Sequence, residues 1–158
     1  MKKTIVSQEQ KLLIEKLGVM HEKSGIQPAA ARVLSLLLVS DNPELTFEEI
    51  IKALGISKSA ASNAINLLLN TNRLEYVTKP GDRKRYFRTK LIHWEKSMKD
   101  EMEGWAYLAD LLKEVLKQRP GSTIEFNNSL HDLINFFEFL QQKIPMMYAE
   151  WEKKKKVA

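Results

Sequence analysis

Residues 45–57 read LTFEEIIKALGIS, and this short run contains two helix starts and one helix stop. Thr46 with Glu49 forms a capping box, in which each side chain satisfies a free N–H at the helix start. Gly55 tolerates the left-handed backbone that closes a helix. Ser57 then opens the next one. The first helix turns its apolar side, Phe47, Ile50, Ile51 and Leu54, inward, and Ile56 plugs the tight turn after it. Two short helices joined this tightly form a helix-turn-helix.

The second helix, KSAASNAINLLLN, covers residues 58–70. Ala61, Ile65 and Leu68 fall at i, i+4 and i+7 and share its buried side. Lys58, Ser59, Ser62, Asn63 and Asn66 face outward. A plain surface helix favours Glu, Lys and Arg, whereas Ser and Asn cost helix stability. Small polar residues on such a face suit a nucleic-acid groove. Asn pairs with adenine through two bonds, Ser reaches a base or a phosphate, and helix N-terminal amides attract phosphate. A solvated helix with good capping is the plainer reading of the same residues.

Asn72 sits where a left-handed residue ends this helix. LEYVTK (74–79) is an alternating strand, Pro80-Gly81-Asp82 a turn, and RKRYFRT (83–89) the returning strand. This is the one hairpin the sequence predicts. Arg83, Lys84, Arg85 and Arg88 lie at and just after its tip, where a narrow minor groove would attract them. Asp82 would be repelled by phosphate, so it orients Arg83 or its neighbours, or is simply a turn residue.

Charge distribution agrees with this placement. From 52 to 90 there are nine basic residues and two acids, whereas the whole chain is only +5. One window holds the entire basic excess, as a local polyanion-binding surface would. Charge alone does not separate that surface from a solvated basic hairpin.

The rest of the chain reads as helix. Ser7 with Gln10 caps a helix to about 23, with Leu13, Leu17 and Met20 on one stripe. Pro28 opens a second helix that carries Ala30, Val33, Leu34, Leu37 and Leu38 and stops near Ser40, before the turn Asp41-Asn42-Pro43. Two long helices follow the hairpin, at about 91–118 and from a capping box of Ser122 and Glu125 onward. Phe136, Phe137, Phe139 and Leu140 point almost all round one turn, so that helix needs cover beyond a small winged domain. A second copy of the chain is the natural cover. The run 153–156 is expected to be a solvated or frayed tail. The fold expected is mainly α with one small β-hairpin.

Several functions are excluded. There is no Cys among the 158 residues, which removes disulfides, zinc–thiolate sites and cysteine nucleophiles. His21, His93 and His131 are isolated, and no phosphate loop or nucleophile motif occurs. The expectation is neither an enzyme nor a metal or cofactor carrier. No stretch approaches the roughly 18 apolar residues of a membrane span, and the N-terminus lacks a signal-peptide core. Both point to the cytoplasm.

The order of helix, helix, LTFEEIIKALGIS, KSAASNAINLLLN and the wing PGDRKRYFRT, with helices at both ends, resembles the MarR superfamily of regulators. The closest likeness is to the branch related to the repressor of glycine betaine synthesis. The resemblance implies a winged helix-turn-helix with long N- and C-terminal dimerisation helices. It divides the chain into an N-terminal dimerisation helix (1–27), a DNA-binding lobe (28–90) and a C-terminal helical dimerisation region (91–158). It implies a homodimeric transcription regulator, a repressor, with the helix from Lys58 in the major groove of double-stranded DNA and the wing in the minor groove. The family's acidic–basic wing motif matches Asp82 and Arg83. Asn72-Arg73 departs from the family's frequent Gly-Leu.

Many relatives of this kind respond to small molecules. Trp94, Trp105, Tyr107, Tyr148 and Trp151 lie on the candidate helices, and aromatic faces bind quaternary ammonium groups. These residues are the candidate effector site, for a choline- or betaine-like compound. Aromatics at helical spacing are also ordinary packing. The competing function is a winged-helix module that docks another protein without touching DNA.

Overall fold

The computed structural model describes residues 6–155 of the chain. It divides into two compact units, the first reaching Ile92 and the second beginning at His93.

The first unit holds α1 (Gln8–Lys23), α2 (Pro28–Val39), β1 (Leu45–Thr46), α3 (Phe47–Leu54), α4 (Lys58–Asn70), β2 (Leu74–Thr78) and β3 (Arg85–Thr89). The local capping signals work as expected. Ser7 accepts from the Gln10 N–H while the Gln10 side chain accepts from the Ser7 N–H. Thr46 and Glu49 do the same at α3. Pro28 occupies the first turn of α2.

Helix α2 is the centre of the core. Ala30, Ala31, Val33, Leu34, Leu36 and Leu37 are all buried on it. Even its Ser35 is fully buried, and the hydroxyl donates to the Ala31 carbonyl at 2.8 Å. Ile50 of α3, Ile65 and Leu68 of α4, Leu74 of β2 and Phe87 of β3 complete the core.

The apolar stripe expected on α1 lies away from the core of this unit. Ile14 and Gly18 are its buried residues, while Leu13 and Met20 are about half exposed (47% and 50%) and Leu17 is only partly buried. Arg32 of α2 packs on the inward side instead. Its side chain lies against Gly18, and its guanidinium pairs with Glu15 and Glu22. A cation held by two carboxylates takes the place an apolar contact would fill.

The sheet has three strands in the order β1-β3-β2, one more than the expected hairpin. The pair Leu45–Thr46 lies antiparallel to β3, with Leu45 opposite Phe87 and Thr46 opposite Tyr86. β2 pairs with β3 on the other side, Val77 opposite Tyr86 and Glu75 opposite Arg88. Thr46 therefore ends a strand and caps a helix at once. At the far end of the lobe, Asn72 takes the left-handed conformation expected of it, with φ +59°.

The second unit begins with a 3-10 turn (Lys90–His93 spans the junction) and holds α5 (Trp94–Gln118) and α6 (Ile124–Lys155). Ala109, Leu130 and Ile134 are buried where these helices pack. The capping box expected at Ser122 and Glu125 does not form, because α6 starts one residue later than that pattern requires. A side-chain network stands there instead. Thr123 Oγ1 bonds to the Pro120 carbonyl, and Arg119 reaches both Thr123 and Asn127. α6 continues through Pro145 and includes the lysines at 153–155, which were expected to fray. Lys156 lies outside the described residues.

Losing an N-terminal cap side chain costs about 1 kcal/mol. Thr46→Ala is expected to destabilise the protein by about that amount or somewhat more, read as a lowered urea midpoint with an unchanged slope. The extra comes from Glu49, which also accepts from the Thr46 hydroxyl at 2.8 Å.

Candidate nucleic-acid interface

The core decides which side of α4 is free. Ala61, Ala64, Ile65 and Leu68 are buried, so Lys58, Ser59, Ser62, Asn63 and Asn66 stand exposed on the opposite side. They follow one another at i, i+1, i+4, i+5 and i+8, a continuous stripe. Gly55 sets its direction, with φ +65° and its N–H bonded to the Ile51 carbonyl at 2.8 Å. Ser57 caps α4 by accepting from the Ala60 N–H. The Ser59 hydroxyl is 3.1 Å from that of Ser57 and shares the cap. Ser62, Asn63 and Asn66 have no side-chain hydrogen bond among the described residues, so their donors and acceptors remain for something outside the fold.

The wing approaches the same side. Lys79-Pro80-Gly81-Asp82 is a tight turn with Gly81 at φ +78° and the Asp82 N–H bonded to the Lys79 carbonyl. Proline second and a positive-φ glycine third are the signature of a type II turn. Beyond it, Arg83, Lys84 and Arg85 join Ser62 and Asn66 of α4, with Glu48 of α3, around one open cleft of about 430 Å³. Arg83 has no ion-pair partner among the described residues. Arg85 lies over the ring of Tyr76, 4.8 Å from its centre. Lys58 and Asn63 lie on the exposed stripe but do not line the cleft.

Arg88, expected among the wing cations, is placed elsewhere. Its Nε donates to Glu75 at 2.7 Å and its Nη1 to Glu44 at 3.2 Å. Strand geometry is the reason. Residues separated by an odd number along a strand point to opposite faces, so Arg88 leaves the face that carries Arg85. Two carboxylates compensate its charge, which makes it a brace between β1, β2 and β3.

Asp82 bonds within the wing, though to groups other than the Arg83 side chain. One carboxylate oxygen accepts from the Lys84 backbone N–H at 2.9 Å, the other from the Tyr86 hydroxyl at 2.6 Å. The phenol bond first, then the Lys84 amide, hold the carboxyl below the ordinary aspartate range. The same bond pushes the Tyr86 phenol above its usual value. Tyr86, Glu44, Glu75 and Lys79 were missed in the sequence, although Glu75 opposite Arg88 is a pairing the hairpin register offers.

The five aromatic residues of the candidate effector site are not brought together. Trp94, Tyr148 and Trp151 form one cluster, with centroids 5.2 to 6.3 Å apart. Trp105 stacks on Phe137 instead, and Tyr107 is 67% exposed. Lys99 lies over Tyr148, and Lys155, paired with Glu95, lies over Trp151.

With this geometry in hand, known proteins offer a direct comparison. The model described as MarR family matches residues 24–85, which run from the end of α1 to the start of β3. This segment, which holds the helix-turn-helix and the first wing strand, is thus similar to the MarR family. The chain is 26% identical to the HTH-type transcriptional repressor OpcR of Bacillus subtilis, over 95% of this chain and 91% of that protein. It is 23% identical to the HTH-type transcriptional regulator MmpR5 of Mycobacterium tuberculosis, over 83% of this chain and 79% of the relative. Both relatives are named as transcription regulators. A crystal structure described as a transcriptional regulator superposes with a TM-score of 0.72 at 21% identity, covering 92% of this chain and 99% of its own. The fold shared with that structure thus extends beyond the matched segment. No helix among the described residues is long and apolar enough to cross a membrane.

A lowered aspartate pKa has a sign that can be checked. The two bonds to Asp82 contribute order above the ordinary aspartate pKa and lose it as pH falls through the depressed one. In an NMR pH titration, the Asp82 carboxyl is expected to titrate below the usual value of about 3.9. The Lys84 amide shift should move with it. A midpoint at or above the usual value would contradict the two bonds.

Proposed function

We propose that the chain is a transcription regulator that binds double-stranded DNA as a homodimer and acts as a repressor in the cytoplasm. The observation that carries this reading is the cleft where the uncommitted polar stripe of α4 meets the unpaired cations of the wing. A helix face without carboxylates, beside a strand end bearing three cations, fits a duplex whose phosphates flank a readable groove. Lys58, Ser59, Ser62, Asn63 and Asn66 meet the major groove, and Arg83, Lys84 and Arg85 reach the minor groove or its phosphates. The MarR-family match and the two regulator relatives support the same reading. Within the family, we place the chain in the branch related to the repressor of glycine betaine synthesis, on the sequence resemblance.

The homodimer is supported by apolar surface. On α6, Phe136 and Phe139 are 54% and 52% exposed, and on α5 Leu111 and Val115 are exposed too. α1 exposes Leu12, Leu13, Val19 and Met20. Large apolar side chains at helical spacing mark faces that a partner covers. The same residues favour dimerisation through the terminal helices, with the winged lobe left for DNA. A quaternary-ammonium cage gains no such support, since Trp94, Tyr148 and Trp151 occupy one another's faces and those of the last two already carry lysines.

Fluorescence anisotropy with the DNA adjoining the gene tests the reading. Affinity is expected to fall steeply with salt, in a log–log line whose slope counts phosphate contacts at about 0.9 each. Arg83→Ala should weaken binding markedly and reduce that slope by about one contact per subunit, without altering thermal stability. Ser62→Ala or Asn63→Ala should change preference among sequences more than the slope. Light scattering is expected to give twice the 18.3 kDa of one chain, and Phe136→Asp to reduce that mass. Salt-independent affinity would end the DNA reading, and a monomer binding one full site would end the dimer reading.

A further inference from the structure

The wing contains a group that the contact set above does not use. Between Asp82 and β3 lie only Arg83 and Lys84, and this two-residue bridge presents an arginine that has no ion-pair or ring partner among the described residues. A bridge at the tip of a hairpin is ordinarily mobile. Here both its ends and its middle are tied. The turn fixes Asp82 through the Lys79 carbonyl, Asp82 holds the Lys84 N–H, and the Tyr86 hydroxyl holds the other oxygen of Asp82. Tyr86 is itself anchored by the sheet. It sits in the central strand, with Thr46 opposite on one side and Val77 on the other. The Lys79 ammonium lies 4.0 Å from its ring centre and is paired with Glu44.

We infer that Tyr86 is the positioning residue of the wing, acting through the Asp82 carboxylate to hold the Arg83–Lys84 bridge in the shape that meets DNA. The inference rests on the DNA-binding reading for its consequence, and on the free protein for its geometry. Tyr86 need not touch DNA. Its hydroxyl points at Asp82, and its ring is covered by Lys79. Ordering the bridge before binding removes an entropic cost from the binding step. The phenol also engages a carboxylate that would otherwise stand unshielded beside phosphate.

The test is a double-mutant cycle of Tyr86→Phe and Asp82→Ala, read as DNA affinity by anisotropy. Lys84 amide exchange is measured on the unliganded protein. Tyr86→Phe removes one oxygen and keeps the ring, the strand and the Lys79 contact, so the melting temperature should hardly move. Affinity should fall about three- to tenfold, the range of one ordinary hydrogen bond. In the Asp82→Ala background the same change should cost nothing, because the partner is gone. Lys84 exchange should accelerate in both single variants. Affinity unchanged by Tyr86→Phe, an equal loss in both backgrounds, or unaltered Lys84 exchange would each overturn the inference. If the unaltered protein binds no DNA, the functional reading fails instead, and Lys84 exchange alone decides whether the latch exists.

Discussion

Helix α2 has almost no outward side, and the winged lobe is built on that fact. Alanines at 30 and 31 let neighbours approach closely, while Val33, Leu34, Leu36 and Leu37 fill the space between them. α1, α3, α4 and β3 all pack against it. Burying one such aliphatic side chain is worth about 1.5–3 kcal/mol, so rotating α4 by a third of a turn would forfeit several of these contacts. The outward stripe of α4 is thus a consequence of what α2 demands from its other side. The groove-facing residues can then be chosen for chemistry, because they contribute little to holding the helix in place.

That division explains the cost accepted on α4. Serines and asparagines are poor helix formers, and Ser62, Asn63 and Asn66 gain no internal bond in return. The helix persists because Ser57 caps it and Ala61, Ala64, Ile65 and Leu68 anchor it. Uncommitted polar groups on a rigid, buried support are the arrangement that lets a partner supply the missing hydrogen bonds without reshaping the protein.

What the sequence disclosed and what it hid follow one physical line. Capping boxes at Ser7 and Thr46, the Gly55 stop and left-handed Asn72 were legible because each depends on residues within four positions. β1 was not, since a two-residue strand has no periodicity and exists only because Phe87 and Tyr86 lie beside it. The inward side of α1 was not legible, since it is made of Ile14 and a glycine that lies against an arginine of another helix. Ser122 failed as a cap because Arg119, Thr123 and Asn127 offered the chain end a better network. The aromatic set was scattered by α5–α6 packing, which no spacing within one helix reveals.

The wing shows how strand parity sorts charge. Within β3, Arg85 lines the cleft with Arg83 and Lys84 from the bridge before the strand, whereas Tyr86 and Arg88, two apart, meet acids. A basic cluster that looks uniform along the sequence is thus two sets with opposite tasks. One set is left unneutralised, where its field reaches outward. The other, Arg88, is neutralised by Glu44 and Glu75, and it ties β3 to its neighbours. Counting cations in such a hairpin overstates the charge offered to a polyanion. The count that matters is taken on one face, after the acids of the other have been assigned.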